Sequence, residues 1–149
     1  MAFEARKFVQ ESYDTNDAWG RQVVIEFLES RGLVVEEKTE EDYGVDIVAI
    51  DKKGRRTFFE AEVKRNRPWT CRADFPFDSV SFLGRKRKWS GHGGFWYVVV
   101  CAETKALIIC HSDVIYQEAH KEFAYINTRH RKGNDELYRV PNDLCYWAG

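Results

Sequence analysis

The residues with the strongest chemical potential fall in a short span. Asp46 opens one apolar run, and Glu60, Glu62 and Lys64 alternate through the next, Arg56–Lys64. Side chains alternate faces along a strand, so Phe59, Ala61 and Val63 point one way and Glu60, Glu62 and Lys64 the other. Three ionisable groups on one face need partners or solvent. Carboxylate oxygens are hard ligands that suit Mg2+, an ion that keeps several of its waters. A metal held there would polarise a phosphate oxygen and help supply hydroxide, and Lys64 could orient the attacking water or offset transition-state charge. The chemistry that fits is phosphodiester hydrolysis.

A turn must bring Asp46 to the acids. Asp51-Lys52-Lys53-Gly54 reads as a hairpin turn between strands at Val45–Ile50 and Arg56–Lys64, with Gly54 able to take positive φ. Residues paired across that turn sum to about 106, which sets Asp46 opposite residue 60, near Glu62. Upstream, Val23, Val24, Phe27 and Leu28 form the apolar stripe of a helix from Asp17 to Arg31, with Asn16 as N-cap. Gly32 stands where a left-handed C′ residue belongs, with Leu33 able to touch Leu28. A first strand follows at Leu33–Glu37.

Gly44-Val45-Asp46 and Glu62-Val63-Lys64, on adjacent strands after an amphipathic helix, resemble the PD-(D/E)XK nuclease superfamily. The resemblance covers residues 17–64 well and extends loosely to 95–101. It implies a restriction-endonuclease-like α-β-β-β-α-β core: an α/β fold whose central mixed sheet is flanked by helices. It implies Mg2+, with Mn2+ as substitute, and an endonuclease that cuts DNA, less often RNA. Asp46, Glu62 and Lys64 would be catalytic, with Asp46 and Glu62 on the metal. Many members add a Glu from the first helix, for which Glu26 is the candidate and Glu29 the substitute. Two departures are visible. Val45 replaces the family's Pro, and Glu60 is an extra acid that could assist the metal or pair with Lys64. The competing readings are a degenerate nucleic-acid-binding module of the same fold, and a half-solvated hairpin whose Glu and Lys form cross-strand ion pairs.

Three basic groups could meet nucleic acid. Arg65, Arg67 and Trp69 continue from the third strand, and Trp69 could stack on a base or pack over a loop. Arg85-Lys86-Arg87-Lys88, next to Trp89, could hold phosphates, with Lys86 or Arg87 the best placed. Arg129, Arg131 and Lys132 form the third. Acids gather at Glu36, Glu37, Glu40, Glu41 and Asp42. The net charge of −1 excludes coating nucleic acid by bulk charge, but segregated charge can still give one basic face. His92, in a glycine-rich turn, is a weaker general-base candidate.

Further along, Val80–Leu83 reads as a short strand and Arg85–Trp89 as a short helix or loop. Phe95–Cys101 reads as a buried strand paired antiparallel with Ala106–Cys110. Ser112 can cap a helix from Asp113 to about His120, and Leu137–Val140 an edge strand. The 149 residues are 44% hydrophobic and 32% charged, which fits one globular domain over 1–149 with no repeat or linker. No apolar run approaches the ~18 residues of a membrane span, and no secretion signal is read. Four widely spaced Cys suggest free, mostly buried thiols in an intracellular, cytoplasmic setting. No Walker or nucleophile-elbow motif is present. The small size is that of a compact accessory nuclease of a phage or bacterium, by analogy of fold, and allows a homodimer.

Overall fold

The computed structural model describes residues 18–36, 46–90, 93–127 and 132–148, with the backbone alone for 123–127 and 132–135. Asn16, Asp17, most of the acidic cluster, Tyr43-Gly44-Val45, His92, Arg129 and Arg131 lie outside the described residues, as does the Lys132 side chain.

Helix α1 covers residues 18–30. Val23, Val24 and Leu28 are its buried stripe. It closes as its sequence predicts: Gly32 has φ +85°, its N–H donates to the Glu29 carbonyl at 3.0 Å, and the Leu33 N–H donates to the Leu28 carbonyl at 3.1 Å. That bond pair is the Schellman closure, which needs a residue free to go left-handed.

The strands are β1 (Val34–Glu36), β2 (Ile47–Ile50), β3 (Arg56–Lys64), β4 (Ser79–Leu83), β5 (Trp96–Cys101), β6 (Leu107–His111), β7 (Lys121–Asn127), β8 (Lys132–Pro141) and β9 (Tyr146–Ala148). They form a six-stranded sheet in the order β1-β2-β3-β5-β6-β9 and a three-stranded sheet in the order β4-β8-β7. Strands β3 and β5 are parallel and all other pairs antiparallel, so the fold is mixed α/β with a mixed central sheet. Gly54 has φ +78° in the β2–β3 turn, where Asp51 Oδ1 accepts from the N–H groups of Lys53 and Arg55, both at 2.9 Å.

The large sheet has a core on each face. Towards α1 lie Val23, Val24, Leu28, Phe59, Val98, Val100 and Leu107, with Ala61 and Val63 packed against them. Towards the small sheet lie Val80, Phe82, Tyr97, Val99, Ile108, Tyr138 and Val140. The three layers are therefore helix, large sheet and small sheet. The expected helix between β3 and β5 does not form among residues 65–90 and 93–95. Strand β4 and 3-10 turns at Arg72–Asp74 and Gly84–Trp89 take its place. A sheet, rather than a second helix, thus covers the other face, because the alternating Val80 and Phe82 bury at strand spacing.

Three further expectations are corrected. The helix after Ser112 is one turn, α2 (Ser112–Ile115), followed by a 3-10 turn at Glu118–His120. Its cap is the His111 ring, which accepts from the Asp113 N–H at 3.1 Å. Ser112 Oγ instead accepts from the Phe95 N–H at 3.0 Å. The stretch 137–140 belongs to the middle strand of the small sheet, not to an edge. The four Cys are free, but only Cys101 and Cys110 are buried. Among the described residues no helix is long and apolar enough to cross a membrane.

Candidate functional site

The β2–β3 register pairs Ile47 with Phe59, so Asp46 stands opposite Glu60, as the sum of 106 requires. The Asp46 N–H donates to Glu60 Oε2 at 3.3 Å. Asp46 Oδ2 accepts from the Ala61 N–H at 2.9 Å, which extends the ladder one step by a side chain. Glu60 is only 2% exposed. Burial, then a hydrogen bond with the Asp46 carboxylate, pushes its carboxyl up to about 8, against the pull of the Lys86 ammonium.

The ammonium that faces these acids belongs to Lys86. Its Nζ lies 3.8 Å from Asp46 Oδ2, 3.7 Å from Glu60 Oε2 and 5.5 Å from the Tyr97 ring centroid. The 3-10 turn Gly84–Trp89 delivers it. Lys64 Nζ instead donates to the Ser81 carbonyl at 2.6 Å, so the expected Glu60–Lys64 pairing gives way to Glu60–Lys86. Glu62 Oε2 accepts from the Tyr97 hydroxyl at 3.1 Å, and that hydroxyl oxygen accepts from the Leu83 N–H at 3.4 Å. Burial, and next the Glu62 charge, hold the Tyr97 phenol well above its usual range.

Glu60, Glu62 and Lys64 line one face of β3 in a row, and the structure brings Asp46, Glu60 and Lys86 into one group at the Glu60 end. Glu26 does not join it. This residue is exposed on α1, where Gln22 Nε2 donates to it at 3.4 Å, and α1 covers the opposite face of the sheet. Glu29 is exposed on the same helix. The hydrophobic stripe tells which side of a helix meets a sheet, but not which face of the sheet it meets. Among the described residues no three His, Cys, Asp or Glu gather as a metal site. The oxygen donors that do meet are the Asp46–Glu60 pair. That number still fits Mg2+, which commonly takes one or two carboxylates and completes its shell with water and phosphate.

The other candidates are scattered. Arg85 and Lys88 are exposed, and Lys88 Nζ sits 4.9 Å over the Trp89 ring. Arg87 donates to the Tyr138 hydroxyl at 3.4 Å and pairs with Glu136 at 3.9 Å. Arg65 and Arg67 are exposed at the end of β3. Trp69 is 2% exposed and meets Phe75 edge-on at 5.5 Å, so it packs in the core and offers no face to a base.

Sequence reasoning missed Tyr97 and the acid-facing role of Lys86. Tyr97 was visible as the one residue in its apolar run with a hydroxyl to satisfy. The Lys86 contact spans a crossover, and no local signal reports it. Compared with family models, curated proteins and solved structures, the chain finds no match in any of the three.

Proposed function

We infer that the chain is a Mg2+-dependent endonuclease that hydrolyses phosphodiester bonds of DNA. One observation carries this reading: Asp46 meets the buried Glu60 across a hairpin whose same face continues into Glu62 and Lys64. The order helix, three strands, crossover, strand also agrees with the restriction-endonuclease-like core that the resemblance implies, with a short strand where that core has its second helix.

Mg2+, or Mn2+ in its place, would be held by Asp46 and Glu60, with Glu62 next along the strand; when bound it polarises a phosphate oxygen and makes its water more acidic. The Ala61 N–H fixes the Asp46 carboxylate. Burial keeps Glu60 from bulk water, so a cation that replaced its proton would be held in a medium of low dielectric. Lys86, 3.7–3.8 Å from the two acids, would contact a substrate phosphate brought to them. The resemblance gives Lys64, two residues beyond Glu62, the role of orienting the attacking water, for which its Nζ would have to leave the Ser81 carbonyl. Arg65 and Arg67 meet the backbone leaving the site.

A specific observation favours a second reading. Lys86 already neutralises the Asp46–Glu60 pair at 3.7–3.8 Å, as it would in a degenerate site that binds nucleic acid without cutting it.

The test is cleavage of labelled duplex, single-stranded and branched DNA and of RNA, with Mg2+, Mn2+ or EDTA. Asp46→Asn is expected to lower metal-dependent cleavage by at least about a hundredfold, the scale seen when one preorganised electrostatic group is removed. Wild-type binding with no cutting under any divalent metal would favour the degenerate module. Cutting that survives both Asp46→Asn and the Glu62→Ala/Lys64→Ala double variant would end the assignment.

A further inference from the structure

At the Lys64 end of β3 the surface opens into a pocket of about 360 Å³. That is within the range of small-ligand sites, about 300–1,000 Å³. We propose that this pocket binds an unpaired nucleotide of a single-stranded nucleic acid, with the base against Phe75 and Phe77 and the flanking phosphates against Arg65 and Arg67. The proposal names the substrate class of the proposed nuclease, and rests on that reading only for placing a phosphodiester at Asp46 and Glu60.

The wall is aromatic and the rim basic. Trp69, Phe75 and Phe77 form an edge-on series with centroids 5.5 and 5.7 Å apart. The series runs outward from the core: Trp69 is 2% exposed and Phe77 is 51% exposed. Phe77 is not loosely hung. The Asn142 side-chain amide donates to its carbonyl at 2.7 Å, and the Asn142 N–H donates to the Asp78 carbonyl at 3.4 Å. A fixed, half-exposed aromatic at the mouth of a concave site is a stacking platform whose ordering cost is already met by the fold.

Charge selects the ligand. Lys64, Arg65, Arg67 and Arg139 line the pocket against one acid, Asp78. Arg65 and Arg67 are exposed at the rim, and Arg139 is ion-paired with Glu122 at 2.8 Å. Aromatic faces beside guanidinium groups suit a base followed by a phosphate, whereas a duplex keeps its base faces stacked and unavailable. Lys64 lies four residues from Glu60 on the same face of β3, roughly 13 Å along the strand at ~3.3 Å per residue. The pocket and the two acids therefore lie at opposite ends of one strand, with β4 packed over the row between them.

The experiment measures anisotropy of labelled oligonucleotides of about 12 nucleotides, in the site-size range of single-strand grooves, with the full chain in EDTA. The arms are single-stranded DNA, single-stranded RNA of the same sequence, and blunt duplex DNA. At least one single strand should bind about tenfold or more tighter than the duplex. Phe77→Ala should weaken that binding about five- to a hundredfold, the loss of stacking on one base. Phe77→Tyr should keep it, and Arg67→Glu should weaken it and flatten its salt dependence. Phe77 is half exposed, so the fold should survive its truncation, and circular dichroism checks this. Duplex bound as tightly as single strand, or a folded Phe77→Ala variant that binds like wild type, overturns the pocket even if the chain cuts DNA. Single-strand binding that is lost in Phe77→Ala upholds the pocket even if the chain cuts nothing.

Discussion

The two faces of β3 are built from alternate residues of one strand, yet they obey opposite rules. Phe59, Ala61 and Val63 meet α1 and make a dry layer with Val98 and Val100. Glu60, Glu62 and Lys64 face the small sheet, and each has a specific polar partner: Asp46 and Lys86, the Tyr97 hydroxyl, and the Ser81 carbonyl. The first face is held by the area it removes from water. The second carries buried polar groups whose cost is offset only while every partner is present. Both faces are packed, but only the one towards the small sheet holds ionisable side chains in its row.

The largest way to break this comparison is to put a charge on the dry face. Val98 is 1% exposed within the α1 layer. Val98→Asp is expected to cost more than about 4 kcal/mol, the range reserved for buried unpaired charge, out of a stability of ~5–15 kcal/mol. Urea denaturation followed by circular dichroism measures it. A loss below about 1 kcal/mol would mean that the helix layer is loosely packed.

On the opposite face the same kind of change acts through pH. The Glu60 carboxyl is raised from 4.5 to about 8. Between those values the folded chain keeps a proton that the unfolded chain releases, so stability should fall as pH rises from about 4.5 to 8. Glu60→Gln keeps the shape and is neutral at every pH. In EDTA, its Tm should therefore change less than the wild type's across that window, and at pH 8 it should be the more stable protein by up to a few kcal/mol. A wild-type Tm that rises from pH 5 to 8 as much as the variant's would show that Asp46 and Lys86 solvate Glu60 as an anion. Val98 thus tolerates no charge, whereas Glu60 resists being one.

The legible part of this design was local. The turn at Asp51–Gly54 fixed a pairing sum, and the register places Asp46 opposite Glu60 as that sum requires. Helix α1 and its Gly32 closure were readable because capping uses neighbours in sequence. Lys86 was legible as a basic residue but not as the partner of Glu60, because the 3-10 turn that delivers it is positioned by β4 and β8. Glu26 was misplaced for a related reason, since helical periodicity is silent on which face of the sheet α1 takes. Strand β9 is three residues long, too short for a period of two to register, and forms because Ile108 and Ile109 offer it an edge. Trp69 could be read from its basic neighbours as a stacker or as packing over a loop, and the core between the sheets takes it.

The smallest change tests how closely α1 is seated. A Cβ at Gly20 would meet Val63 Cγ2 at 2.5 Å. Two terms oppose each other in Gly20→Ala. The excess backbone entropy of glycine is recovered, worth about 1 kcal/mol in a helix. Overpacking costs about 1–3 kcal/mol, and Val63 has little room to yield, since a β-branched side chain is stiff at χ1. The expected net is a loss of about 1–2 kcal/mol in urea denaturation. Combining it with Val63→Ala should restore part of that loss, because the two positions share one contact. A stabilised Gly20→Ala would mean that the helix slides rather than clashes. In either case binding and cleavage should stay within about twofold of wild type, since the shift falls on the dry face and the polar row faces away from it.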